Sequence, residues 1–213
     1  VCNYRCQYCL PDGYKKSGQT QFLSADEIEN LVSGLAGLGL WKVRLTGGEP
    51  TIRKDFTEIA ARISAIPGIR RLATTTNGYR LAENADLWRK AGISAINVSV
   101  DSLDQQRFAK ITGQDHLPQV LAGIRAAQRA GFEHIKVNTV LLRDINDQEL
   151  PAFLEWIRTE DLSIRFIELM ETGTNREYFE RHHIRGDEIR DRLQALGWSR
   201  LPREEGAGPA QEF

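Results

Sequence analysis

Apolar positions along this chain switch repeatedly between helical spacing and the alternation of a strand, with no low-complexity stretch or separate linker between the segments. Ser24 and Glu27 form a capping-box pattern that predicts a helix running through Leu38. A strand follows over Lys42 to Thr46, a helix over Phe56 to Ile66, a strand over Arg71 to Thr75, and a helix over Leu81 to Lys90 that Gly92 closes. The alternation then predicts a strand over Ala95 to Val100, a helix over Pro118 to Ala130 stopped by Gly131, and a strand over Ile135 to Leu141. A helix over Gln148 to Arg158, a strand over Ser163 to Leu169 and a last helix over about Gly186 to Leu196 complete the series. A polar tail rich in Gly and Pro ends at Phe213.

Repeated βα units of this length imply an α/β protein with a parallel sheet, either curled into a full or partial (β/α) barrel or wound as an open Rossmann-like sheet. The polar residues favour the barrel, because reactive groups of a barrel gather at the C-terminal ends of its strands. Gly47-Gly48-Glu49-Pro50, Thr75-Thr76-Asn77-Gly78, Ser99-Val100-Asp101-Ser102 and the pair Glu168 and Met170 all fall at predicted strand ends, and Lys136 and Asn138 lie within one strand. The expected organisation is a single domain over residues 1–213, with 199–213 beginning a further C-terminal region.

Composition narrows the class without naming a ligand. With 213 residues, 41% of them hydrophobic and 27% charged, the chain is long enough to bury one core and is not disordered. A formal charge of -1 gives no general attraction to nucleic acid or to an anionic membrane, so an anionic substrate must be caught by a local cluster of Arg or Lys. No apolar run approaches the length of a membrane span. The lack of a signal sequence points to the cytoplasm, and the opening at Val1, one residue before the first cysteine, predicts a fragment.

The chemistry begins with Cys2, Cys6 and Cys9, the only cysteines, spaced C-x3-C-x2-C. Three local thiolates suit a [4Fe–4S] cube with one iron left open to a non-protein ligand, since such cubes are usually held by four cysteines. Tyr8 inside the loop is placed to shield the cluster and pack on a cofactor, and Asn3 and Arg5 to give the sulfurs polar support. A closed zinc site lacks a nearby fourth ligand, because all four histidines lie more than a hundred residues away. A disulfide framework is disfavoured by the odd count.

Other polar residues carry weaker signals. The two glycines Gly47 and Gly48 let backbone approach a ligand where a Cβ would collide, and adjoining Glu49 is a candidate cofactor contact. Arg44 shares a strand face with Thr46, as Lys136 does with Asn138, and such faces place charge inside a barrel if they point inward. Arg70-Arg71 and Arg181-His182-His183 read as solvated surface, and Trp41, Trp88, Trp156 and Trp198 as packing residues. Asp101 and Glu168 are open between binding nucleotide hydroxyls and orienting neighbouring side chains.

The cysteine motif followed by βα units and Gly47-Gly48-Glu49-Pro50 resembles the radical S-adenosylmethionine superfamily. Five further runs sharpen the likeness: Arg44-Leu45-Thr46, Thr75-Thr76-Asn77-Gly78, Val98-Ser99-Val100-Asp101-Ser102-Leu103, Lys136-Val137-Asn138-Thr139-Val140 and Arg165-Phe166-Ile167-Glu168-Leu169-Met170. With them the chain resembles the MoaA family of GTP 3′,8-cyclases, lyases of molybdenum cofactor biosynthesis. The resemblance implies a partial TIM-like barrel of the radical type whose first strand and C-terminal segment are absent from this chain, the latter with a second [4Fe–4S] cluster. It implies a [4Fe–4S] cluster on Cys2, Cys6 and Cys9 and S-adenosylmethionine on Tyr8, Gly48, Ser99 and Met170. It implies GTP on Arg44, Thr75 and Lys136. A 5′-deoxyadenosyl radical would take hydrogen from C3′ of the GTP ribose, and the carbon radical would close onto C8 of guanine. An external electron donor and a downstream cyclic pyranopterin monophosphate synthase are the implied partners, and a homodimer is compatible with it. The alternatives are another radical S-adenosylmethionine enzyme and a catalytically silent barrel module that holds zinc.

Overall fold

The computed structural model of the chain describes residues 1–15, 22–173, 175–202 and 210–213. Five strands carry the fold: β1 (Lys42–Leu45), β2 (Arg71–Thr76), β3 (Ala95–Ser99), β4 (His134–Val140) and β5 (Ser163–Ile167). All neighbouring pairs are parallel and the strands follow one another in chain order, the topology of a partial (β/α) barrel. Helices α1 (Ala25–Gly37), α2 (Phe56–Ala65), α3 (Leu81–Lys90), α4 (Gln105–Thr112), α5 (Leu117–Arg129), α6 (Leu150–Thr159), α7 (Arg176–His182) and α8 (Gly186–Ala195) accompany them. None of the helices among the described residues is long and apolar enough to cross a membrane.

Local signals explain most boundaries. The capping box at α1 is complete: Ser24 Oγ accepts the Glu27 N–H at 3.2 Å, and Glu27 Oε2 accepts the Ser24 N–H at 2.7 Å. The segment expected as one helix from Gln148 is a 3-10 turn over Asp147–Glu149 followed by α6, whose first turn takes Pro151, where a missing N–H costs nothing. Two helices lie outside the expected series. α4 is short, yet Asp104 Oδ1 caps it at the Arg107 N–H (2.8 Å) and Gly113 closes it in the left-handed conformation at φ 72°. α7 is shorter still, seven residues with none buried, too brief for a helical period to register. β5 ends at Ile167, so Glu168, Leu169 and Met170 stand in the loop beyond it. Of the polar tail, residues 203–209 lie outside the described part; Leu201 N–H donates to the Glu212 carbonyl at 2.8 Å and Phe213 packs against the apolar cluster that holds Leu141, Leu150, Ile184 and Leu193.

Alternate residues of the five strands face opposite ways, and the register turns this into two contrasting surfaces. One face carries Val43, Leu45, Leu72, Ile96, Val98, Ile135, Val137, Ile164 and Phe166, which join the main core under the helices with Ile63, Trp88, Phe108, Ile124 and Phe153. Trp88 sits edge-on to Phe56, whereas Trp41 is exposed beneath the Arg70 guanidinium and Trp198 lies half-buried near Arg158. A smaller apolar cluster of Ile111, Val140, Leu142 and Leu169, flanked by Tyr8, Tyr178 and Phe179, lies beneath the cysteine loop.

Candidate functional site

The cysteine loop is tied to the C-terminal ends of the strands from several sides. Within it, the Cys9 and Leu10 N–H groups both donate to the Cys6 carbonyl, at 3.0 and 2.9 Å, closing a tight turn around Tyr8. On one flank, Arg5 and Gln7 donate backbone N–H groups to the Thr112 and Ile111 carbonyls at the end of α4, each at 3.0 Å. On the other, Glu49 N–H donates to the Val1 carbonyl at 2.8 Å. A Cβ at Gly48 would overlap that same carbonyl oxygen and stand 3.0 Å from Cys2 Cβ, so the glycine admits the start of the cysteine loop against β1's end.

Two buried carboxylates anchor the surroundings through internal hydrogen bonds. Glu49 is 3% exposed. Its Oε1 accepts from Thr51 N–H (3.1 Å), Thr51 Oγ1 (2.6 Å) and Thr76 Oγ1 (2.8 Å), and its Oε2 from Asn77 N–H (2.6 Å). The carboxylate thus staples the end of β1 to the end of β2. Asp101 takes the Tyr8 hydroxyl on Oδ2 at 2.8 Å and the Val140 N–H on Oδ1 at 2.9 Å, so it orients the cysteine loop over β3 and β4. Burial pushes its carboxyl up to about 6 against the opposing pull of those two donors. Glu168 likewise orients neighbours: it pairs with His183 Nε2 at 2.7 Å and accepts the Gly186 N–H at 2.7 Å at the start of α8. His183 stacks on Phe179 and His182 contacts the Arg143 carbonyl, which makes both half-buried packing groups; Arg181 is exposed.

The three thiols are free and grouped in one loop, with Cys9 exposed and Cys2 and Cys6 half-buried. Burial pushes the Cys6 thiol up, and Asp101, Cys2 and Cys9 add to the shift, so a bare thiolate is unfavourable there and a metal that replaces the proton would relieve it. Among the described residues, no three His, Cys, Asp or Glu side chains converge on a single ion. Two buried hydroxyls near the thiols, Tyr4 Oη and Tyr178 Oη, lack a hydrogen-bond partner among the described residues. The polar help foreseen from Asn3 and Arg5 goes elsewhere: Asn3 Oδ1 accepts from Asn77 Nδ2 at 2.8 Å, and the Arg5 side chain packs beside Gly13 and Gly113.

Of the remaining residues expected around the cofactor, Ser99 is half-buried at the end of β3, level with Asn138 across the β3–β4 ladder. The Asn138 Oδ1 atom is buried without a partner among the described residues. Met170 stands in the loop after β5 with its side chain 75% exposed.

The second strand face is a polar floor. It carries Lys42 and Arg44 from β1, Arg71 and Thr75 from β2, Asn97 and Ser99 from β3, His134, Lys136 and Asn138 from β4, and Arg165 from β5. Arg44 Nη1 donates to Thr75 Oγ1 at 3.2 Å. Among the described residues, none of Lys42, Arg44, Arg71, Lys136 and Arg165 makes an ion pair. Burial lowers the Lys42 ammonium, and Arg71, Arg44, Lys136 and Arg165 lower it further; burial, Arg165 and Arg71 do the same to Arg44. Such mutual repulsion is what a polyanion relieves. Lys42, Arg71 and Arg165 escaped the sequence reading, Arg71 as supposed surface. Even spacing along β1 from Arg44 and along β2 from Thr75 was the sequence signal for Lys42 and Arg71, whereas Arg165 reaches the floor through its register with Asn138 across β4 and β5.

This architecture, a cysteine loop over the ends of parallel strands, agrees with comparison to known proteins. The pattern of the Radical SAM superfamily matches residues 1–157, and the chain belongs to that superfamily. Its members bind a [4Fe–4S] cluster and S-adenosylmethionine. The chain is 56% identical over its whole length to a GTP 3′,8-cyclase of Cronobacter sakazakii and 52% identical to a GTP 3′,8-cyclase of Stenotrophomonas maltophilia. It spans 65% of the length of each. In fold it is similar to SuiB of Streptococcus suis (TM-score 0.72, 15% identity, 92% of this chain and 44% of that one). It is also similar to coproporphyrinogen III oxidase of Escherichia coli (TM-score 0.61, 14% identity, 90% and 49%).

Proposed function

We propose that this chain is the radical-generating core of a GTP 3′,8-cyclase, a lyase that makes 3′,8-cyclo-7,8-dihydro-GTP for molybdenum cofactor in the cytoplasm. The observation that carries the reading is the floor of five cations, without acidic partners among the described residues, beneath the strand ends that hold the cysteine loop. The relatives of the same name support it.

Cys2, Cys6 and Cys9 hold the cluster in this reading, and Tyr8, Gly48, Ser99 and Met170 surround S-adenosylmethionine. When bound, these two groups supply a 5′-deoxyadenosyl radical through one-electron cleavage of the sulfonium. The chain's own work is binding and alignment. Arg44, Thr75 and Lys136 take GTP, with Lys42, Arg71 and Arg165 adding positive charge for its phosphates along the same face. The phosphates anchored on the floor aim the ribose toward the strand ends, where alignment of the C3′ hydrogen decides the rate. An external electron donor, a second cluster contributed by a segment outside residues 1–213, a synthase that consumes the product and a homodimer complete the proposal.

The test is calorimetric titration of the full-length protein with GTP and, separately, with S-adenosylmethionine, followed by mass spectrometry of the products. Lys136→Ala is expected to weaken GTP while sparing S-adenosylmethionine. Parental GTP affinity in this variant, or 5′-deoxyadenosine formed with no cyclised GTP from the parent, would direct the chain to a different substrate within the superfamily. Stoichiometric zinc without iron uptake after anaerobic reconstitution would make it a silent module.

A further inference from the structure

Tyr8 lies between two cluster-binding cysteines, and its backbone carbonyl is held by a residue far along the chain. Asn175, only 7% exposed, donates from Nδ2 to the Tyr8 carbonyl at 3.2 Å and to the Met170 carbonyl at 3.1 Å. Its Oδ1 accepts the Thr172 N–H at 2.6 Å, and its own carbonyl accepts the Phe179 N–H at 2.8 Å as α7 begins. A carboxamide has two N–H donors, and here each serves a different loop. One loop carries Cys6 and Cys9; the other follows β5 and carries Met170. Because both donors are occupied, Asn175 has none left for a cofactor and acts through the carbonyls it holds.

We propose that Asn175 is a positioning residue that locks the Cys6–Cys9 turn to the Met170 loop, so that the cluster ligands and the far wall of the cofactor site keep one fixed separation. The inference rests on the cluster and S-adenosylmethionine of the superfamily and is independent of the GTP reading. Three features support a clamp over ordinary packing. The Tyr8 side chain is separately fixed through Asp101, so the Asn175 bond sets the remaining freedom of that residue, its backbone. Arg5 and Gln7 are fixed on α4, which leaves the Tyr8 side of the turn to be tied by Asn175. The two carbonyls belong to chain segments 162 positions apart (170 − 8), with no shared strand ladder to align them.

Serine at this position separates the clamp from the turn, because its hydroxyl can still accept the Thr172 N–H but cannot reach both carbonyls. In the full-length protein, Asn175→Ser is expected to speed amide hydrogen exchange in the metal-free form tenfold or more at residues 7–10 and 168–172, while the amides of β2 and β3 keep parental rates. In the reconstituted protein, iron per chain stays at the parental value, and the S-adenosylmethionine concentration that half-converts the reduced cluster's electron paramagnetic resonance signal rises tenfold or more. Asn175→Asp is isosteric but offers no donor, and gives both readouts if the serine variant does not accumulate. Parental exchange in either loop, a rise spread evenly across the sheet, or an unchanged S-adenosylmethionine midpoint overturns the assignment.

Discussion

The two faces of the same five strands obey opposite rules. On the helix-covered face, Leu72, Ile96, Val98 and Val137 are 2% exposed or less and each buried apolar surface adds to stability. On the open face, Lys42, Arg44, Arg71, Lys136 and Arg165 repel one another without acidic partners among the described residues. A face that costs stability in the empty protein has its use in what it attracts, and the apolar face offsets that cost. Between them, at the strand ends, Asp101 ties the cysteine loop to β4 and the Glu49 carboxylate ties the end of β1 to the end of β2.

The largest effect expected is at the loop. Cys6→Ala should lose the cluster of the cysteine loop, lowering iron per chain by one cluster's worth, and abolish reductive cleavage of S-adenosylmethionine, checked by iron analysis and by mass spectrometry for 5′-deoxyadenosine; a variant that still cleaves removes Cys6 from the ligand set. Next is the covered face. Phe153→Ala, at a fully buried position, should cost about 3–5 kcal/mol in a urea melt through lost burial and the cavity left behind. A loss below about 1 kcal/mol would show that α6 is not part of the cooperative core. The open face should respond differently: Arg44→Ala and Lys136→Ala each remove a charge-assisted contact, worth about 1.5–3 kcal/mol, or roughly ten- to hundredfold in GTP affinity. Their melting temperatures without nucleotide should stay near the parent's, whereas a large fall would mean these cations are structural and the contrast between faces false. The smallest effect is the most diagnostic. Lys42→Gln relieves repulsion and should raise the melting temperature without nucleotide by ~1 °C while lowering the gain that GTP confers. A fall in melting temperature would argue that Lys42 is paired in solution.

The βα rhythm, the five strands and most of the helices were legible because burial on one face imposes a period that survives in a single sequence. α4 was missed although Asp104, Phe108, Ile111 and Gly113 mark its cap, its buried side and its end, because eight residues give barely two turns of period. The candidate site was legible in outline where its residues are neighbours in sequence, as with the three thiols that share one loop. It was incomplete where a role depends on partners: Glu49 beside two glycines has the sequence of a ligand contact, and no local pattern announces that its carboxylate bonds to Thr51, Thr76 and Asn77.

What the sequence determined by itself was therefore local: spacing of thiols, alternation of apolar positions, caps, and the face on which each strand residue falls. Only the tertiary structure decided which of those faces meet. The parallel register brought Arg71 and Arg165 to the floor with Arg44 and Lys136, and folding the β5 loop back onto residue 8 gave Asn175 two carbonyls from distant segments. The physical reason is range. Side-chain periodicity is written by neighbours three or four positions away, whereas a hydrogen bond or a repulsion between strands depends on a separation that no local pattern encodes.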